Sequence, residues 1–221
     1  MQKFELEELD GDSTANIQGD NSLPAARGEY PFLVSIAQAN SKGPPINECT
    51  GTLIEPCVVL TSASCFTDCT GDFEPWDLIE FKRYNLTDAT EAIDSRPLSP
   101  KEGVDVFRHP DFNIDGLLSN DFALVFLDEP VEGIMPIPLN KGSSFPADGD
   151  VLTAVGWGEI NPIIYPDPED FGPPYKVDIP DVPNDQCTES PYDYTEGHIT
   201  DSMMCAGGDA SYDGLCYDYG K

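Results

Sequence analysis

The stretch VVLTSASCF, Val58 to Phe66, decides how the chain reads. Val58-Val59-Leu60-Thr61 is a short apolar, β-branched run, the composition of a buried strand. Ser62, Ala63 and Ser64 are three small residues in a row, and Cys65 closes the turn. A strand that ends in a small-residue turn and a cysteine places Ser64 at a strand mouth.

Runs of the same kind lie on both sides. YPFLVSIA begins at Tyr30 and GTLI at Gly51; DLIEF, VDVFR, DFALVFL, VLTAVGW, KVDIP and GHIT follow. Each is rich in branched or aromatic residues and bounded by Gly, Pro or Asn turns, as strands are. No apolar spacing of helical period is sustained over eleven or more residues. The fold class this predicts is all-β, a sandwich or a pair of barrels. Residues 1–16 read as an acidic leader. Residues 86–102 and 159–175 read as polar loops, the second holding five prolines and four acids.

The bulk numbers exclude several functions. The chain has 221 residues, with 41 Asp and Glu against 11 Lys and Arg, a net charge of −30. Such a surface repels nucleic acid and anionic membranes, so neither is a predicted partner. No stretch of 18 apolar residues offers a membrane span. The N-terminus MQKFELEELDGDSTAN is not a signal peptide. Seven cysteines nevertheless indicate an oxidising compartment, and the predicted location is extracellular. With two histidines and no paired CxxC spacing, no zinc site is expected. Asn85-Leu86-Thr87 is an N-glycosylation sequon, usable in a secreted chain.

Taken in order, these pieces form a pattern. IQGD at Ile17–Asp20 is followed by YPFLVSI, ECTGTLI, VVLTSASC, FRHPDFN, SNDFALVFL, AVGWGEI, ITDSMMCAGG and GLCYDYG. The series resembles the chymotrypsin/trypsin-like serine proteases, peptidase family S1. The matching family motifs are IVGG, LTAAHC, NDIALL, GWG and CxGDSGGP. The resemblance runs from about Ile17 to Gly220. It implies two antiparallel six-stranded β-barrels, the first about 30–130 and the second about 131–221, with a cleft between them. It further implies that the second barrel lacks its last strands and closing helix, so that the chain reads as C-terminally truncated.

The same resemblance implies disulfides Cys49–Cys65 and Cys187–Cys205. Cys216 then lacks its family partner, and Cys57 with Cys69 form a candidate extra bridge. Sequence alone does not fix their pairing.

Peptide hydrolysis by this route needs a serine nucleophile, a histidine base and an aspartate that orients the base. Asp121, in SNDFALVFL, matches the aspartate. Ser64 stands where the family has its histidine, and a hydroxyl does not carry a proton near pH 7 as imidazole does. Loss of a triad member costs on the order of 10⁴-fold or more in turnover. His109 lies in a segment where the family has a surface histidine, and His198 lies inside the Cys187–Cys205 loop. Neither is expected to replace the base.

The nucleophile is displaced too. After Cys216 the chain reads Tyr217-Asp218-Tyr219-Gly220-Lys221. Without a gap Gly220 takes the serine's place; with one residue deleted Tyr219 does. A phenol with pKa near 10 and no base beside it is a poor nucleophile, and the backbone donors of an oxyanion hole are in doubt with it. Asn16 precedes Ile17, so a trypsin-like activator has no basic residue to cleave after. A deletion alignment would leave Asp218 to receive the freed amine. The specificity-pocket base falls near Gly214, beside Asp213. Arg83 stands where the family's calcium loop opens with glutamate, and Asp88, Glu91 and Asp94 read as solvated acids. No metal and no cofactor are predicted.

The predicted function is a secreted, catalytically inactive trypsin-like homologue that binds a protein: a protease, a substrate or another secreted enzyme. An active serine endopeptidase and a non-functional fragment are the alternatives.

Overall fold

A computed structural model describes residues 16–18, 22–41, 44–68, 70–88, 90–91, 93–98, 100–101, 103–113, 119–142, 146–157, 172–188, 199–200, 203–207 and 214–216. The fold is all-β. Among the described residues the only helical segments are two 3-10 turns, Ser64–Phe66 and Gln186–Thr188.

Among the described residues thirteen strands follow one another along the chain. They are β1 (Asn16–Gln18), β2 (Leu23–Pro24), β3 (Leu33–Gln38), β4 (Ile46–Glu55), β5 (Val58–Thr61), β6 (Leu78–Phe81) and β7 (Asp94–Pro97). After these come β8 (Val106–Arg108), β9 (Ala123–Phe126), β10 (Val151–Gly156), β11 (Tyr175–Val182), β12 (Cys205–Ala206) and β13 (Gly214–Cys216).

The first sheet has the order β7-β6-β3-β4-β5-β9-β8, antiparallel throughout. Alternation along each strand turns one set of side chains inward. Val34 and Ile36 of β3, Leu53 of β4, Val59 of β5, Ile79 and Phe81 of β6, and Val125 of β9 are all fully buried. They share one core with Val106, on the edge strand β8. Strands near opposite ends of the order therefore meet in one cluster, so the sheet curls on itself. Gly51 lets β4 and β5 approach: a Cβ there would meet Val59 Cγ1 at 2.7 Å.

The sequence pattern yields six strands for this half, and the structure has seven. The extra one is β7, DSRP, inside the polar 86–102 stretch. It has no apolar alternation because it is an edge, and its cation is held from the side. Arg96 donates to both Asp94 oxygens and to the carbonyl of Glu129. That contact holds the Asp94 carboxyl below its ordinary range.

The second sheet is smaller. β11 runs along β10 on one side, and on the other side meets β2 at residues 175–176 and β12 at residues 181–182. Val177 and Ile179 are its buried centre, with Leu152 and Ala154 packed on them. The GHIT run forms no strand at Ile199–Thr200, and its first two residues lie outside the described residues. β1 and β13 form a separate two-stranded ribbon, Asn16 opposite Cys216.

The loop after β6 joins the two sheets. Leu86 packs with Leu33 and Trp157. Trp157 Nε1 donates to the Tyr84 carbonyl, and Leu86 N–H donates to the Gly172 carbonyl. Arg83 lies buried at the loop's root. It donates through Nε and Nη2 to both oxygens of the buried Glu80, at 3.0 and 2.8 Å, and through Nη1 to the Asp88 carbonyl. Glu91 is not the solvated acid that the sequence suggests: its side chain is 3% exposed. The N–H groups of Tyr84 and Asn85 donate to its Oε2, and Arg27 pairs with Oε1. The loop thus neutralises its inner carboxylates with guanidinium groups.

Breaking a buried pair from one side strands a charge. Arg83→Met is expected to lower unfolding free energy by about 3–5 kcal/mol, with a clear part recovered in the double variant Glu80→Leu/Arg83→Met. Urea titration followed by tryptophan fluorescence measures both. An Arg83→Met variant as stable as the parent contradicts the assignment.

Candidate active site

Two segments leave the first sheet side by side and meet. The first continues β5. Thr61 Oγ1 donates to the Thr50 carbonyl, and Ala63 and Phe66 are fully buried on either side of Ser64. Phe66 stacks on Phe73 at 5.9 Å between centroids. Thr67 Oγ1 donates back to Ala63, and Trp76 Nε1 donates to the Cys65 carbonyl. The disulfide Cys49–Cys65 fastens the turn to β4. Small residues suit this position because Ala63 has no exposed surface and the chain turns within three residues.

The second segment enters β9. Asn120 adopts φ 55°, a left-handed conformation that asparagine tolerates better than most residues. Its Nδ2 donates to the Asp111 carbonyl, and its own carbonyl accepts from Phe122 N–H. This kink delivers Asp121 to the turn after β5.

The structure brings Ser64 and Asp121 together through two hydrogen bonds. The Ser64 N–H donates to Asp121 Oδ1 at 2.7 Å, and the Ser64 hydroxyl donates to Asp121 Oδ2 at 2.8 Å. Ser64 is exposed and Asp121 half-buried, so the pair opens to solvent. A serine has one O–H donor, and here it is committed to the carboxylate. A hydroxyl–carboxylate pair can hold a shape or bind a polar group. It offers no group that changes charge near neutral pH on the serine side.

His109 is not brought to this pair. Its Nδ1 accepts from Asp111 N–H at 3.2 Å, and its ring lies 4.6 Å from that of Phe122. Among the described residues no contact links it to Ser64 or Asp121. His198, Asp218, Tyr219 and Gly220 lie outside the described residues, as does Asp213.

Cys187 and Cys205 are joined by a disulfide. Cys57 is a free thiol, so the bridge expected between Cys57 and Cys69 does not form. Cys57 sits in the hairpin between β4 and β5. Cys69 itself lies outside the described residues. The pairings that sequence reasoning missed are those of Glu80 with Arg83 and of Glu91 with Arg27. Their signal was weak: an acid inside the apolar run LIEF, answered by arginine three residues on.

A curled antiparallel sheet, a second smaller sheet, and an aspartate reaching the cysteine-closed turn after β5 define a trypsin-like protein. Comparison with known proteins agrees. Residues 20–217 match the family described as Trypsin, and the chain belongs to that family. It is similar to kallikrein 1-related peptidase b24 of Mus musculus, 31% identical over 169 residues, covering 72% of this chain and 58% of that protein. It is also similar to prostatic glandular kallikrein-6 of Rattus norvegicus, 29% identical over 194 residues, covering 82% and 64%. Kallikrein 1-related peptidase b27 of Mus musculus is 29% identical over 200 residues, covering 86% and 68%. The chain thus spans 58% of the length of the first of these relatives. Among the described residues no helix is long and apolar enough to cross a membrane.

The Cys49–Cys65 bridge closes a loop of sequence separation 16 and carries Ser64 next to its anchor. Replacing both cysteines by alanine is expected to cost about 3 kcal/mol and to increase amide exchange at residues 62–66. Hydrogen exchange with mass spectrometry reads the local effect. Unchanged protection there would show that the bridge does not hold the turn.

Proposed function

We propose that this chain is a catalytically silent member of the trypsin family that works by binding another protein. The observation that carries the reading is the Ser64–Asp121 pair. The aspartate is satisfied by a hydroxyl and a backbone N–H, at the place where the family resemblance puts an imidazole. A nucleophile there would have no partner able to take its proton.

The sequence after Cys216 supports the same conclusion. Neither Tyr219 nor Gly220 supplies an activated alcohol, and the missing glycine weakens the oxyanion donors. The catalytic positions retained or altered are then Asp121, Ser64 and Tyr219. A binding role fits what remains: a family scaffold, an open cleft end and a net charge of −30, which favours a partner with a cationic face. Two disulfides support an extracellular setting. The partner class is a protease, a protease substrate or another secreted enzyme.

A fluorophosphonate probe tests the reading on the purified chain. It reports an activated serine without requiring a known substrate. No covalent adduct is expected by intact-mass measurement, either on the parent or on Ser64→His, because the base alone does not restore a nucleophile. An adduct on the parent at any serine would end the proposal.

A further inference from the structure

The loop that joins the two sheets carries the only Asn-X-Ser/Thr triplet in the sequence, Asn85-Leu86-Thr87. We propose that Asn85 is a site of N-linked glycosylation and that its glycan stands at the end of the sheet opposite the one that carries Ser64 and Asp121. The inference does not depend on whether the cleft is silent. It requires only passage through the secretory compartment that the disulfides indicate.

The local geometry is that of an acceptor site. Asn85 Oδ1 accepts from Thr87 N–H at 2.9 Å and from the Thr87 hydroxyl at 2.8 Å. The side-chain carbonyl is thereby engaged on both counts, while among the described residues nothing engages Nδ2. Thr87 is exposed and Asn85 half-buried, but Leu86 between them is 6% exposed and packs with Leu33 and Trp157. The loop is anchored by its middle residue with its outer residues turned away from the core. A glycan on Nδ2 would therefore leave the fold undisturbed, provided it is added before Leu86 docks.

The chemistry closes. Nδ2 attacks C1 of an oligosaccharide linked to a lipid diphosphate. The new C–N bond replaces the C1–O bond, the lipid diphosphate leaves with the electron pair, and one amide proton passes to base.

Register fixes where the glycan would stand. Phe81, the last residue of β6, lies opposite Val34, and Val34 lies opposite Gly51. Thr52 lies opposite Leu60, one residue before the end of β5. The three pairings between β6 and β5 are all antiparallel, so β6 and β5 run in opposite directions, and the loop holding Asn85 and the turn holding Ser64 leave opposite ends of the sheet. A branched glycan there would leave the approach to the Ser64–Asp121 pair open.

The test uses the full chain behind a cleavable secretory signal, translated with rough microsomes, and reads only the protease-protected lumenal product. That product is expected to carry one endoglycosidase-sensitive glycan. Asn85→Gln and Thr87→Ala should lose it, and Thr87→Ser should keep it. Transfer precedes folding, so a destabilised variant still reports. A lumenal parent chain with no endoglycosidase-sensitive mass overturns the proposal, as does a glycan that persists in Asn85→Gln.

Discussion

The two hydrogen bonds from Ser64 to Asp121 set the character of the sheet end that carries them. A carboxylate next to a buried core is costly unless its oxygens find donors. Here one residue supplies both, a backbone N–H and a hydroxyl. The arrangement gives each carboxylate oxygen a donor from a residue that does not titrate near neutral pH. It preserves the architecture of an acid-orienting site while, on our reading, leaving no base to orient. The kink at Asn120 and the buried residues around Ser64 serve this contact.

The rest of the fold keeps those two segments in register. β5 and β9 are neighbours in the first sheet, with Thr61 opposite Ala123, so the turn after one and the entry to the other are adjacent by construction. The curled core behind them, centred on Ile36, Leu53, Val59 and Phe81, leaves little freedom for either strand to slide. A one-residue slip would move every inward side chain outward. Charge is handled by local pairing. In a chain with 41 acids and 11 bases, arginines go where carboxylates are most buried: Arg83 to Glu80 and Arg27 to Glu91.

Much of this was legible beforehand, for identifiable reasons. Strands such as LVSIAQ and ALVF announce themselves because burial selects branched and apolar residues. Ser64, Asp121 and the two disulfide pairs stood out because they fall within motifs kept in family order. β7 was not visible, since an edge strand held by an arginine needs no apolar alternation and DSRP has none. The burial of Glu91 was hidden for a related reason: a carboxylate within an acidic loop looks solvated until its backbone donors and Arg27 are located in space. The free state of Cys57 was hidden because nearness in sequence does not say which cysteines meet in space.

Peptide-bond turnover is the most direct measurement of the central claim. Purified chain incubated with a diverse peptide library, followed by mass spectrometry, should release no products above those of an Asp121→Ala control. Reproducible cleavage by the parent that disappears in Asp121→Ala would contradict the account, because it would show that the aspartate still serves a working proton relay.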